Sequence, residues 1–214
     1  MAAAPLPPQP PPRVSSPAPM SHLLYLHGFR SSPLSTKAQH VGRWLAQHRP
    51  DVHVWCPQLP PSPAEAMALV LNGIAHWPLA NMAVVGSSLG GFYASVVHQR
   101  TGCRAVLLNP AVQPARDLAR HIGEQHTWQD PTQAFFFQPG YIDELLALSP
   151  ATLTAPERCA AVIAKGDEVL DWHEMSAHCQ GAQVLLLEGS DHALSDFDQP
   201  FSFLLDFLQL QPCD

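Results

Sequence analysis

Gly86-Ser87-Ser88-Leu89-Gly90 is a G-x-S-x-G pentapeptide set between two unlike stretches. Before it runs Met82-Ala83-Val84-Val85, short and apolar; after it runs Phe92-Tyr93-Ala94-Ser95-Val96-Val97, which reads as helix. A strand that turns sharply into a helix at a serine is the setting of a nucleophile elbow, where the strained turn pushes the hydroxyl clear of the backbone. Gly86 and Gly90 suit that turn, because side chains there would strike the adjacent strand or helix. Small residues crowd many strand–helix turns, so the weight of the motif rests on its surroundings.

Working outward, six short apolar runs read as strands: Leu23–Leu26, Val52–Trp55, Met82–Val85, Ala105–Leu108, Ala161–Ala164 and Val184–Leu187. They are continuous rather than alternating, as strands are when helices cover both faces of a parallel sheet. Helical patterns separate most of them. Val41, Trp44, Leu45 and His48 share one face, and Pro50 marks its end. Ser62-Pro63-Ala64-Glu65 is a capping box with proline at the first helical position, opening a helix with Met67, Val70, Leu71 and Ile74 at core spacing. Pro200 is expected to start a last helix with Phe201, Leu204, Leu205 and Leu208 on one stripe. The order implies an α/β fold, a doubly wound, mostly parallel six-stranded sheet with right-handed crossovers. The long interval between Leu108 and Ala161 includes Phe135-Phe136-Phe137 and Tyr141–Leu148 and is read as a small helical insertion over residues 111–160. Packed over the carboxyl ends of the strands it would wall a site like a lid; the plainer reading is core helix.

The composition bounds the function. Of 214 residues, 46% are hydrophobic and only 14% charged, which sets the chain apart from disordered ones. A net charge of −7 argues against nucleic acid as a partner. No apolar run is long enough for a membrane span. Cys56, Cys103, Cys159, Cys179 and Cys213 are odd in number, scattered and without a C-x-x-C, which points to free thiols in the cytoplasm rather than a disulfide framework. Residues 1–20 hold eight prolines and read as a disordered leader, or as upstream of a true start at Met20, ahead of a domain spanning 21–211. The prolines deny a signal peptide its apolar stretch.

Ser88 needs a base to take its proton. Among twelve histidines, position selects His192, in Gly189-Ser190-Asp191-His192, because it follows the last strand and in an open α/β sheet the site lies at the strands' carboxyl ends. The base needs a carboxylate to hold its tautomer. Lys165-Gly166-Asp167-Glu168-Val169-Leu170-Asp171 follows the fifth strand, and Asp167 stands closest to its end; Glu168 and Asp171 compete for the role. His173, Glu174 and His178 miss a metal-binding pattern, since histidines five apart on a helix point about 140° away from each other. No phosphate-binding glycine loop or dinucleotide fingerprint occurs, so neither metal nor cofactor is expected.

The chain order Ser88, Asp167, His192, with the motif and strand pattern, resembles the α/β-hydrolase superfamily over about residues 22–210. Tyr25-Leu26-His27-Gly28-Phe29, Ser31-Ser32-Pro33, Gly166-Asp167-Glu168-Val169-Leu170-Asp171 and Asp191-His192-Ala193 resemble the small bacterial YqiA-type esterases, the UPF0227 group. Arg30 departs from the asparagine expected there, which bears on the polarity of the pocket rim. The resemblance implies an oxyanion hole made by the backbone N–H groups of Phe29 and Leu89, with Gly28 letting the loop approach. His27 is read as a structural residue buttressing that loop. The implied activity is hydrolysis of small or medium acyl esters through an acyl-enzyme. An acyl-CoA thioesterase would use the same machinery, with Arg30, Lys37, Arg116 and Arg120 as candidates for a basic rim. A binding protein with a weak active site on the same scaffold is the alternative of another class. The expected partner is a small-molecule ester or thioester; the oligomeric state is left open.

Overall fold

Strands buried on both faces must alternate their side chains between two separate cores. The computed structural model, which describes residues 19–149 and 152–212, shows this division. β1 (His22–Leu26) leads through α1 (Thr36–His48) to β2 (His53–Trp55), and α2 (Pro63–Gly73) leads on to β3 (Met82–Ser87). Then come α3 (Leu89–Thr101) and β4 (Arg104–Leu108). Past the insertion, β7 (Cys159–Ala164), α6 (Trp172–His178), β8 (Gln183–Leu187) and α7 (Asp198–Leu208) complete the body. The sheet runs β2-β1-β3-β4-β7-β8, and every neighbouring pair in it is parallel. Leu24, Leu26, Val84 and Leu107 pack on one face against α2, α3 and α6. Leu23, Tyr25, Val85 and Leu108 pack on the other against α1 and α7.

The helix ends follow the local sequence, with two adjustments. Ser62 Oγ accepts the Glu65 N–H at 3.2 Å, as a capping serine should. The reciprocal carboxylate comes instead from Glu144, far along the chain, whose Oε2 takes the Ser62 hydroxyl at 2.7 Å and the Ala64 N–H at 2.9 Å. The last helix begins at Asp198, two residues before the expected Pro200, which sits in the first turn where a missing N–H costs nothing.

The insertion is not wholly helical. It carries α4 (Pro114–Leu118) and α5 (Gly140–Leu148), and between them an antiparallel hairpin of β5 (Gly123–His126) and β6 (Ala134–Phe137). Phe137 is buried and Phe136 is 58% exposed, the alternation of a strand with one covered face. The inward rings of Phe135 and Phe137 pack edge-on against Phe29, with centroids 5.9 and 5.2 Å away. The hairpin is thereby seated over the loop after β1. The proline-rich segment over 1–20 lies outside the described residues up to residue 18; Met20 is buried against the α1–α7 core. Among the described residues no helix is long and apolar enough to cross a membrane.

Candidate active site

Ser88 occupies the turn between β3 and α3 with φ 57° and ψ −120°, a backbone conformation that non-glycine residues rarely adopt. The strand and its neighbours impose that conformation. The Ser88 N–H donates to Leu108 O at 2.9 Å, and its carbonyl accepts from Gly91 N at 2.8 Å and Ala111 N at 3.0 Å. Close packing explains the motif glycines. A Cβ on Gly90 would lie 2.0 Å from Leu26 O, and one on Gly86 would lie 2.0 Å from Gly90 O. Helix α3 is therefore pressed onto the sheet with no room for a methyl group. Gly28 is less confined: its absent Cβ would lie 3.3 Å from Ser88 Cβ, a tight contact rather than an overlap.

Ser88 Oγ lies 3.0 Å from His192 Nε2, and His192 Nδ1 lies 2.7 Å from Asp167 Oδ2. Asp167 has no exposed side-chain surface. Its other oxygen, Oδ1, accepts the N–H groups of Val169 and Leu170, both at 2.8 Å. A buried carboxylate is costly unless its lone pairs are used, and these three donors both stabilise the charge and lock the rotamer. The two competing carboxylates have other partners. Glu168 Oε2 accepts the backbone N–H of His192 at 3.0 Å, and Asp171 caps α6 by accepting the His173 N–H at 2.8 Å.

Asn109, which the sequence reading passed over, ties these loops together. It is 1% exposed and has φ 40°, a left-handed conformation that asparagine tolerates better than most residues. Its side-chain NH₂ donates to Asp191 O at 3.1 Å and His192 O at 3.2 Å, and its Oδ1 accepts from Ala164 N at 2.8 Å. One residue thus joins the ends of β4 and β7 to the His192 loop. The available sequence signal was an asparagine directly after a buried strand, followed by proline.

Among the described residues, neither the Phe29 nor the Leu89 N–H donates to a protein acceptor, and both residues line a 290 Å³ cavity with Ser88 and His192. Leu89 opens α3, where the first N–H groups have no partner within the helix. His27 is 4% exposed; its Nε2 faces the Leu59 N–H at 3.2 Å and its Nδ1 faces Gly28 O at 3.0 Å. Burial lowers its pKa, so it braces the loop as a neutral ring. A larger cavity of 560 Å³, walled by Leu59, Leu69, Tyr93 and Phe135, adjoins Phe29 and Leu89 but is not lined by Ser88.

Most of the basic candidates are engaged. Arg116 forks onto Glu174 at 2.7 and 2.8 Å and also bonds Asp117. Arg30 donates to His126 O at 2.6 Å and lies 4.0 Å over the Trp128 ring, and Lys37 Nζ donates to Ala193 O.

The profile of the family described as Uncharacterised protein family (UPF0227) matches residues 22–209. The chain belongs to the UPF0227 family. The match spans β1 to the end of α7 and so takes in every element that carries Ser88, Asp167 and His192. Solved structures place the UPF0227 chain in the α/β-hydrolase fold. A protein from Agrobacterium vitis S4 superposes with a TM-score of 0.70 at 17% identity, with 88% of each chain covered. Est1E from Butyrivibrio proteoclasticus, solved with ferulic acid bound, gives 0.66 at 12% identity over 90% of each chain. The mouse α/β-hydrolase domain-containing protein 10 gives 0.62 at 14% identity, covering 87% of this chain and 90% of its own.

Proposed function

We propose that the protein is a serine hydrolase of carboxylic esters. The observation that carries this reading is the unbroken chain of hydrogen-bond distances from Ser88 Oγ through His192 to the buried Asp167, 3.0 and then 2.7 Å, at a serine with positive φ. Ser88 Oγ attacks the acyl carbonyl as His192 Nε2 takes its proton. The carbonyl oxygen becomes an oxyanion between the Phe29 and Leu89 N–H groups. The bond to the alcohol oxygen breaks, and His192 returns the proton to that leaving oxygen. Water then repeats the sequence on the acyl-enzyme, releasing the acid and freeing Ser88. Asp167 holds the Nδ1–H tautomer and stabilises the transient imidazolium; it keeps its own charge throughout.

A thioester of coenzyme A would pass through the same steps, and polyphosphate recognition calls for free cations near the mouth. Arg116 is taken up by Glu174 and Arg30 by His126 and Trp128, which leaves Lys37 and Arg120 of the four candidates and favours the simpler esters. Cys56, Cys103, Cys159 and Cys179 are free thiols, in keeping with a reducing compartment such as the cytoplasm. Labelling by a fluorophosphonate probe tests the reading, with aryl acetates, aryl butyrates and acyl-CoA assayed in parallel. Wild type should label and hydrolyse the aryl esters faster than the thioesters, and Ser88→Ala should do neither. Labelling that survives in Ser88→Ala would overturn the assignment.

A further inference from the structure

Ser88 lines two clefts, with Trp128 on the wall of both. One is the 290 Å³ cavity, lined beyond the reacting groups by apolar side chains such as Leu118, Val169 and Leu170 and also by Arg30, Asp117, Arg120 and His121. The other, of 260 Å³, runs between the loop after β1, the start of α1 and the His192 loop, and is lined by Tyr25, Ser35, Thr36, Lys37 and Gln129. Trp128 is held between them: its backbone N–H donates to Arg30 O at 2.8 Å, and its ring lies under the Arg30 guanidinium.

Three independent features of the second cleft call for a negative group. The first is the start of α1. Its N-cap Ser35 makes no side-chain cap, and its first turn holds no acidic residue. A helix of thirteen residues presents roughly half a positive charge there, together with unpaired N–H groups. The second is Lys37, whose ammonium bonds the Ala193 carbonyl on the opposite wall. Burial pulls its pKa down to about 8, opposed in part by Asp191. The Asp191 carboxylate is itself taken up by the N–H and hydroxyl of Ser195, at 2.9 and 2.7 Å. The third is Tyr25, 1% exposed, whose hydroxyl has no hydrogen-bond partner among the described residues. Buried hydroxyls are almost always paired, with protein or with ordered water, so this one has a donor to offer.

We propose that this cleft is a subsite for a carboxylate carried on the alcohol limb of the ester, held by Lys37, the N-terminus of α1 and the Tyr25 hydroxyl. The proposal rests on the serine-hydrolase reading. The alcohol limb is assigned to the Lys37 cleft because it leaves after the first half-reaction and gives way to water, whereas the acyl group stays on Ser88 and can pack on Leu118, Val169 and Leu170. One lysine and a half-charge from a helix match a monoanion better than a doubly charged phosphate.

The test uses two phenyl acetates, one with a meta carboxylate and one with a meta carboxamide, each rate divided by that of hydroxide to remove intrinsic reactivity. Wild type should favour the carboxylate about tenfold in kcat/KM, through a lower KM, as one charge-assisted hydrogen bond provides. In Lys37→Gln that ratio should fall to near one. Tyr25→Phe, which removes only the unpaired hydroxyl, should lower it two- to threefold and decides the matter if Lys37→Gln does not fold. A wild-type ratio near one, or a variant that loses equally on both esters, overturns the subsite. Failure of the underlying reading looks different: Ser88→Ala would then hydrolyse both esters at the wild-type rate, and the subsite would fall with it.

Discussion

Replacing Asn109 by alanine removes three hydrogen bonds at once, to Ala164 N, Asp191 O and His192 O, and leaves their backbone partners without acceptor or donors. Each such loss at a buried site costs about 1 kcal/mol or more. Alanine at φ 40° adds about 1 kcal/mol, because it lacks the short polar side chain that lets asparagine tolerate the left-handed region. The expected destabilisation is about 4 kcal/mol, which in a domain of this size lowers Tm by about 8–16 °C. The effect on chemistry comes from geometry: two of the lost bonds hold the main chain of the Asp191–His192 loop. Displacing His192 by about 1 Å should lower kcat by about 10²-fold. Asn109→Gly separates the two contributions, since glycine escapes the strain but loses the same bonds; it should recover about 1 kcal/mol and none of the activity. Urea and thermal unfolding followed by circular dichroism, with ester turnover on the same samples, give both numbers. A Tm shift under about 3 °C with kcat within twofold of wild type would refute the claim that Asn109 holds this loop.

Ser88→Ala should lower ester turnover by about 10⁴-fold or more with the fold intact, measured by kcat and Tm together. Asp167→Asn should cost about 10³–10⁴-fold by favouring the wrong His192 tautomer, while Asp171→Asn should cost little. Glu168→Gln should lie between them, because Glu168 holds the His192 N–H; steady-state kinetics on the three variants rank them. Gly90→Ala should fail to fold or unfold well below wild type, given a Cβ 2.0 Å from Leu26 O, whereas Gly42→Ala, mid-α1 with nothing within 4 Å of the new methyl, should gain about 0.5–1 kcal/mol in urea titration.

What could be read beforehand was what local chemistry decides. Leu23–Leu26, Met82–Val85 and Ala161–Ala164 are continuous apolar runs, and such runs have few fates in a chain with helical stretches between them. Ser88, Asp167 and His192 each follow the end of an apolar run by three to five residues, so strand order carries them to the carboxyl ends of the sheet. The hairpin was opaque because Gly123–His126 reads G-E-Q-H, with no apolar alternation, and Phe135-Phe136-Phe137 has no period at all. Its strands exist because Phe29 offers an aromatic face to pack on, a tertiary fact. Asn109 and Glu144 were invisible for the same reason: their partners lie 55–83 and 80–82 residues away along the chain.

The insertion is bonded to the body at several separate places, the Glu144, Arg116 and Trp128 contacts among them. Glu144 fills the N-terminus of α2, Arg116 forks onto Glu174 of α6, and the Trp128 amide and ring engage Arg30 after β1. This limits its modularity. Residues 111–160 form one continuous stretch and look like a cassette that could be exchanged to change specificity. Transplanted alone, the stretch would strand the Glu144 carboxylate, the Arg116 guanidinium and the Trp128 ring over surfaces not built for them. The unit that can be exchanged is discontinuous: it includes Arg30, the Ser62–Glu65 helix start and Glu174 as well as the stretch itself.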